Sequence, residues 1–261
     1  MEGNFEKMRG YVKVQAKLTE SNRGRDERED WVIYDSSLDH TLDRYSFSKD
    51  FDPLIPEGFN GLRDYITKKL AHKNGQAVGI EIAGTGSQLF RDLSKDQLFC
   101  RTAGFVLKDT RTANTKTEDR EINHEVIPVS DAFSTQGYRA IKKFLGEKKA
   151  DLIIERMVAN LASFPNDPEY LYIQLNRLYK ILAEQGVMLL MAPPVDRNDD
   201  TRRGIYSWIN NISSNYGQYI DISHHISKSP SSNTEFFCIR LEKLKDAPKE
   251  LPKYDLIPPN D

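Results

Sequence analysis

Residues 77–87, AVGIEIAGTGS, decide the fold of this chain. The run is apolar or small apart from Glu81, and a glycine-rich turn, Gly84 to Gly86, follows it at once. A short apolar run that ends in a turn is typical of a strand buried on both faces of a parallel sheet. Helical spacing of apolar residues over 59–70 precedes the strand, and a second helix is predicted over 87–93. The sequence here predicts a helix–strand–turn–helix unit of an α/β protein.

The same alternation continues along the chain. Further strands are predicted at 104–108, 124–129, 151–154 and 187–191, and helices at 138–145, 167–182 and 203–213. Asp167 is expected to cap the 167–182 helix and Gly186 to lie at its end. Strands at 219–222 and 235–244 follow so closely on each other that one is expected to be antiparallel. Residues 110–122 are polar without an apolar stripe and are predicted to form a loop.

Composition limits the class of protein. The chain has 261 residues, with 37 Lys and Arg against 39 Asp and Glu, so its net charge of -2 gives no indication of a nucleic-acid partner. Two cysteines cannot form a disulfide framework. The first ten residues lack the apolar core of a signal peptide, and the longest apolar run, 187–192, is too short to span a bilayer. We therefore expect a cytoplasmic protein with no membrane partner.

Three segments are predicted. Residues 1–56 combine a charged stretch at 20–30 with turn residues at 52–58, and are interpreted as an arm or lid that is partly mobile. Residues 57–246 form the α/β domain. Residues 247–261, with prolines at 248, 252, 258 and 259, are interpreted as a tail along the surface or frayed.

Chemistry in an open α/β sheet is expected beyond the carboxyl ends of the strands. The glycine-rich turn follows the first predicted strand, Asp109 follows the second, and Asp131 follows the third. An acid after the second strand can accept hydrogen bonds from ribose hydroxyls, and Asp131 can hold an adenine amino group beside an apolar wall at Phe133. This ordered set indicates a site more strongly than any one of its members.

At this point the chain resembles the class I (Rossmann-fold) S-adenosylmethionine-dependent methyltransferases. VGIEIAGTGS is similar to their first motif, GFVLKD to the second-strand segment and HEVIPVSDAF to the third motif. KADLIIERM is similar to the fourth strand, YKILAEQGVMLLMAPP to the fifth-strand unit and TEFFCIRLEK to the antiparallel last strand. The resemblance covers roughly residues 60–244. It implies a three-layer sandwich around a mostly parallel seven-stranded sheet.

The resemblance also implies S-adenosylmethionine as the cofactor. In this family Glu81 and the turn would face the methionine moiety, Asp109 the ribose and Asp131 the adenine. The positions it assigns to the cofactor are Glu81, Ala83, Gly84, Thr85, Gly86, Asp109, Asp131, Ala132 and Phe133. Two features depart from the family pattern: Ala83 stands where its first glycine is usual, and the 110–122 loop stands where a helix is expected.

Glu155 and Arg156 follow the fourth strand, where a methyl acceptor is expected. We predict Glu155 as a base or acceptor-orienting group and Arg156 as a clamp for an anion. The alternative is an Arg–Glu pair that fixes the end of the strand. An NPPY-type motif for the amino groups of bases is absent at this point, so the expected acceptor is a small molecule or a protein side chain.

Two other functions stay open. The altered glycine turn favours a non-catalytic, methyltransferase-shaped binding module. An NAD(P)-dependent enzyme is the third choice. It is disfavoured because Leu89 occupies the position at which G-x-G-x-x-G requires its last glycine. No metal site is predicted, since His224 and His225 are neighbours that point apart. His124, which precedes a predicted strand, is interpreted as a surface or capping histidine.

Overall fold

A computed structural model describes residues 41–43, 47–106, 109, 111–129, 132, 134–156, 168–192, 199–228 and 235–253. The α-helices are α1 (Phe47–Phe51), α2 (Gly61–Leu70), α3 (Ser87–Ser94), α4 (Ala113–Glu121), α5 (Thr135–Leu145), α6 (Pro168–Ile181) and α7 (Asp199–Tyr216). The strands are β1 (Ala77–Ile82), β2 (Phe99–Val106), β3 (His124–Pro128), β4 (Ala150–Glu155), β5 (Leu182–Ala192), β6 (Ile220–Lys228) and β7 (Glu235–Lys243). Short 3-10 turns follow α1 at Asp52–Leu54 and α2 at Ala71–Lys73.

The seven strands form one sheet in the order β3-β2-β1-β4-β5-β7-β6. Strands β1 to β5 pair in parallel, whereas β7 runs antiparallel to both of its neighbours. The order reverses between β1 and β4, where α/β sheets bind ligands beyond the carboxyl ends of the strands. The structure confirms the predicted α/β fold with one antiparallel strand near its end.

Helices cover both faces of the sheet and bury two hydrophobic clusters. Helices α5, α6 and α7 supply one cluster, which contains Ile141, Leu175 and Ile209. Helices α1, α2 and α3 supply the other, which contains Phe51 and Tyr65. The three layers explain why the central strands are apolar on both faces, as the sequence indicated for 77–83.

Strand β1 divides its side chains between the two layers. Val78, Ile80 and Ile82 belong to the cluster of α5, α6 and α7. On the other face, a Cβ at Gly79 would lie 2.5 Å from the Phe90 ring of α3, so this position accepts no side chain. The next residue on that face is Glu81, which is only 1% exposed. The acid of the first motif therefore lies inside the helix layer of α1, α2 and α3.

Five charged and polar residues tie the antiparallel edge of the sheet to helix α2. We call them the edge network: Tyr65, Lys69, Asp221, Arg240 and Glu242. Arg240 donates to both carboxylate oxygens of Asp221 at 2.8 Å and to Tyr65 Oη at 3.1 Å. Glu242 accepts from Tyr65 Oη at 3.2 Å and from Lys69 Nζ at 2.8 Å. This network joins β6, β7 and α2 through hydrogen bonds between buried or half-buried groups.

The prediction of a loop at 110–122 is wrong, because residues 113–121 form helix α4. Thr112 caps it, its hydroxyl oxygen accepting a hydrogen bond from the Thr115 N–H at 3.2 Å. The buried residue of α4 is Asp119, which is fully enclosed. A helix whose buried position is an acid has no apolar stripe, and so hydrophobic periodicity does not detect it.

The end predicted for the helix over 167–182 is also wrong. Helix α6 ends at Ile181, and β5 begins at Leu182 rather than at Val187. Leu182 pairs with Ala150, and an irregularity in the β4–β5 register lets both ends of β5 pair with β4. Gln185, which lies between the two paired parts of β5, has a left-handed φ of 60°, and Gly186 lies within the strand. The predicted cap Asp167 lies outside the described residues.

The segments on either side of the predicted α/β domain contribute to its packing. Leu42, Phe47 and Phe51 are at most 3% exposed within the cluster of α2 and α3. Leu251 is buried, and its N–H donates to Asn176 Oδ1 of α6 at 2.9 Å. The boundaries at 56 and 246 stay predictions. No helix among the described residues is long and apolar enough to cross a membrane.

Candidate functional site

The turn after β1 is the centre of the candidate site. Ala83 has a φ of 62° and Gly86 a φ of 70°, so both take the left-handed conformation that favours glycine. The turn lies directly on β2: a Cβ at Gly104 would be 1.9 Å from the carbonyl oxygen of Thr85. Ala83 therefore takes a backbone conformation that favours glycine, although it carries a side chain.

Glu81 and Arg156 form a buried ion pair beneath this turn. Arg156 Nε lies 2.5 Å from Glu81 Oε1, and the two side chains are 9% and 1% exposed. A Cβ at Gly84 would lie 2.6 Å from the Glu81 carboxyl carbon, so the turn closes tightly over the acid. Arg156 also donates to the carbonyl oxygen of Thr41 at 3.3 Å. The guanidinium thus joins β1 to the segment before α1.

Asp109 follows β2 and is half-buried. Arg111 Nε and Nη2 donate to its two carboxylate oxygens at 2.9 and 3.0 Å, and the Arg111 N–H donates to Oδ1 at 3.2 Å. Hydrogen bonds from the Arg111 side chain lower the pKa of Asp109 to about 2, although partial burial acts in the opposite direction. At neutral pH this side chain is consequently an ionised acceptor at the carboxyl end of β2.

Asp119 connects Asp109 to the turn. Its Oδ2 accepts from Ser87 Oγ at 2.6 Å and from Arg111 Nη1 at 2.7 Å. Ser87 is the first residue of α3, directly after Gly86. We call Ser87, Asp109, Arg111 and Asp119 the turn network, because it joins the glycine turn to the acid that follows β2.

His124 supports the same turn from β3. It is 4% exposed, so the surface alternative of the predicted surface or capping histidine is wrong. Its Nε2 lies 2.8 Å from the carbonyl oxygen of Thr85, which can only accept, so Nε2 is the donor. Its Nδ1 lies 2.8 Å from Thr102 Oγ1. Burial lowers the pKa of His124 to about 4, against an opposing effect of Asp119, and the ring is neutral at pH 7.

The two residues predicted for catalysis are consecutive, and β4 ends at the first of them, Glu155. The register pairs Glu155 with Ile82 and Leu190, which belong to the α5–α7 face, whereas Glu81 pairs with Ile154 on the opposite face. Glu155 is fully buried, and Arg156 lies against Glu81.

Of the remaining predicted residues, Ala132 is half-buried and packs against the α5–α7 cluster. Asp131 and Phe133 lie outside the described residues. The described part of the chain contains no group of three or more His, Cys, Asp or Glu side chains that could hold a metal ion.

The sequence analysis missed the residues that organise the turn: Ser87, Arg111, Asp119 and His124. Their contacts link positions up to 39 residues apart, from His124 to Thr85. One local signal was available, since Thr112 before a charged run could have indicated a helix cap. The contacts of all four residues depend on how α4 and β3 lie against β1 and β2.

The chain matches no protein-family model, and no curated protein matches it in sequence. It is similar in structure to an rRNA methylase from Streptococcus thermophilus, at 13% identity and a TM-score of 0.43, over 70% of this chain and 94% of that one. It is also similar to an O-methyltransferase from Bacillus cereus in complex with SAH, at 11% identity and a TM-score of 0.42, over 75% of this chain and 87% of that one. A third similar structure is the N-methyltransferase NodS from Bradyrhizobium japonicum, at 11% identity and a TM-score of 0.39, over 70% of this chain and 94% of that one. The strand order, rather than these likenesses, establishes the fold.

Proposed function

We propose that the chain is an S-adenosylmethionine-dependent methyltransferase that acts on a small molecule or a protein side chain. The observation that carries the proposal is the ionised Asp109 carboxylate at the end of β2, beside a glycine turn, where the strand order of the sheet reverses. A ribose diol needs an acceptor of this kind. The resemblance of the motifs in order and spacing supports the same cofactor.

The residues present fit this cofactor. A Cβ at Gly86 would lie 3.2 Å from Glu81 Oε2 and 3.0 Å from the Phe90 ring, so the turn can follow this path only without a side chain there. Asp109 would hold the ribose, and the turn over Glu81 would face the methionine moiety. When bound, the cofactor supplies an electrophilic methyl group, and the protein contributes position and charge environment.

In this proposal Arg156 acts mainly by fixing Glu81, and Glu155 remains the predicted base or acceptor-orienting group. Glu155→Gln is expected to lower the turnover of a methyl acceptor while leaving cofactor affinity unchanged. If Glu155→Gln weakened cofactor binding as much as it lowered turnover, Glu155 would instead belong to the cofactor site.

A methyltransferase-shaped binding module is the second candidate, because both acids of the site are engaged by arginines. Arg156 holds Glu81 and Arg111 holds Asp109. The third choice, an NAD(P)-dependent enzyme, gains no support from α3, since Leu89 is fully buried where the dinucleotide fingerprint requires glycine.

Calorimetric titration with S-adenosylmethionine and S-adenosylhomocysteine (SAH) tests the proposal. We expect binding by the wild-type protein and a loss of about tenfold or more in affinity for Asp109→Ala, the size of a hydrogen bond to a charged group. Asp131→Ala is expected to act similarly through the adenine. Failure of the wild-type protein to bind either compound would overturn the proposal; binding without transfer to any acceptor would favour the second candidate.

A further inference from the structure

The fully buried carboxylate of Asp119 is not explained by the fold alone. It lies on the only side of α4 that is buried, and its Oδ1 has no hydrogen-bond partner among the described residues. Burying a carboxylate is costly unless it is paired and hydrogen-bonded. An apolar residue at this position would be buried without this cost, so the acid needs a separate reason.

The contacts of Asp119 supply that reason. Through Ser87 Oγ, at 2.6 Å, it holds the first residue after the glycine turn. Through Arg111 Nη1, at 2.7 Å, it holds the arginine that donates twice to Asp109. One carboxylate oxygen therefore receives a hydrogen bond from each side of the candidate cofactor site.

We propose that Asp119 is a positioning residue that sets the distance and orientation between the glycine turn and the carboxylate of Asp109, so that one nucleoside ligand can contact both. This inference rests on the proposed function, because the ligand that spans the two elements is the cofactor, with its methionine moiety at the turn and its ribose at Asp109. Asp119 itself has no contact with the ligand in this arrangement.

Two features of the structure favour positioning over simple stabilisation. The α4 helix that carries Asp119 has no other buried residue, so the main link between α4 and the turn is this side chain. Arg91 on α3 also approaches it, with Nε 3.7 Å from Oδ1, and pairs with Glu118 of α4. The charged contacts of α4 are thus directed at α3 and at the site.

The test compares Asp119→Asn with Ser87→Ala and with Glu242→Gln. Glu242→Gln is the matched control, because it neutralises a carboxylate of the edge network that is also buried. SAH affinity is measured by calorimetry well below each unfolding midpoint, and amide hydrogen exchange at residues 84–87 is measured without ligand. We expect Asp119→Asn to weaken SAH about tenfold and Ser87→Ala somewhat less, with faster exchange in the turn for both. We expect Glu242→Gln to lower the unfolding midpoint and to leave affinity and turn exchange as in the wild type.

Wild-type binding of SAH with unchanged affinity and unchanged turn exchange in folded Asp119→Asn would overturn this inference alone. If Asp119→Asn does not fold, Ser87→Ala decides by the same two measurements. Absence of SAH binding by the wild-type protein would overturn the proposed function and this inference together. A loss of affinity in Glu242→Gln equal to that in Asp119→Asn would also overturn it, because the effect would then follow general stability.

Discussion

The turn network and the edge network are built from the same kinds of side chain on the same helix layer, yet they hold different parts of the molecule. In the edge network, Arg240 and Glu242 connect strands β6 and β7 to helix α2, which are regular elements on both sides. In the turn network, Asp119 connects a helix to a turn and to an acid outside any strand. The difference teaches that buried charge stabilises the sheet in one place and shapes an irregular segment in the other.

Position distinguishes the two networks in the same way. Asp221, Arg240 and Glu242 lie on strands β6 and β7 at the antiparallel edge of the sheet, whereas Asp109 follows β2 beside the glycine turn. The candidate ligand site includes only the turn network. The comparison therefore predicts that variants of the edge network change stability without changing ligand affinity, whereas variants around the turn change ligand affinity.

The largest effect is expected for Arg240→Met. Arg240 is buried, and its removal leaves acceptors without a donor, each of which costs about 1–3 kcal/mol of unfolding free energy where it is buried. Here Asp221, Tyr65 Oη and the carbonyl oxygen of Leu54 all lose a donor. Urea unfolding measures the cost, and calorimetry on the folded protein should give an SAH affinity equal to that of the wild type. A weaker affinity would mean that the edge network also supports the site, which would break the comparison.

The next effect is a pH dependence that comes from His124. Its pKa is about 4 in the folded protein against an ordinary value of 6.5, so between these values the unfolded chain binds more protons and stability falls as pH falls. The full shift corresponds to about 3 kcal/mol. Urea unfolding from pH 7 to pH 4 should show this loss in the wild type and a smaller one in His124→Gln. Parallel curves for the two proteins would contradict the assignment of a buried neutral histidine.

Two substitutions of His124 test whether its hydrogen bond to Thr85 holds the turn for the ligand: His124→Asn and His124→Gln. The amide nitrogen of glutamine can reach the position of Nε2 and donate to Thr85, whereas that of asparagine corresponds to Nδ1. We expect SAH affinity to fall about tenfold for the Asn variant and to stay within about twofold for the Gln variant. Calorimetry gives both values. Equal losses in the two variants would show that the Thr85 hydrogen bond does not hold the turn for the ligand.

The smallest effect is expected at Ala83. Its left-handed backbone, with a φ of 62°, is unfavourable for any residue with a Cβ, so Ala83→Gly should gain about 1 kcal/mol of unfolding free energy. Gln185→Gly is the control, because Gln185 has a φ of 60° in β5, outside the candidate site. Thermal unfolding should show a gain in both variants, and only Ala83→Gly should change the affinity for SAH. A loss of stability in Ala83→Gly would show that its methyl group is held by favourable packing.

The sequence by itself located β1, β4 and most of β5, because burial on both faces makes each of them a short apolar run. Residues 77–83, 151–154 and 187–191 were recognised for this reason, and the acid Asp109 was placed after the second strand. The edge of the sheet that carries the candidate site followed from the same pattern, since parallel strands end at a common edge.

Only the tertiary structure decided which polar groups meet. Helix α4 has no apolar stripe because its buried residue is Asp119, so a method based on hydrophobic spacing assigns it to a loop. His124 and Thr85 are separated by 39 positions, and the pairing of Glu81 with Arg156 spans 75. Hydrophobic burial leaves a periodic trace in the sequence because it acts on whole faces of helices and strands. A hydrogen bond or ion pair joins two atoms whose distance depends on the packing of every element between them, and it leaves no such trace.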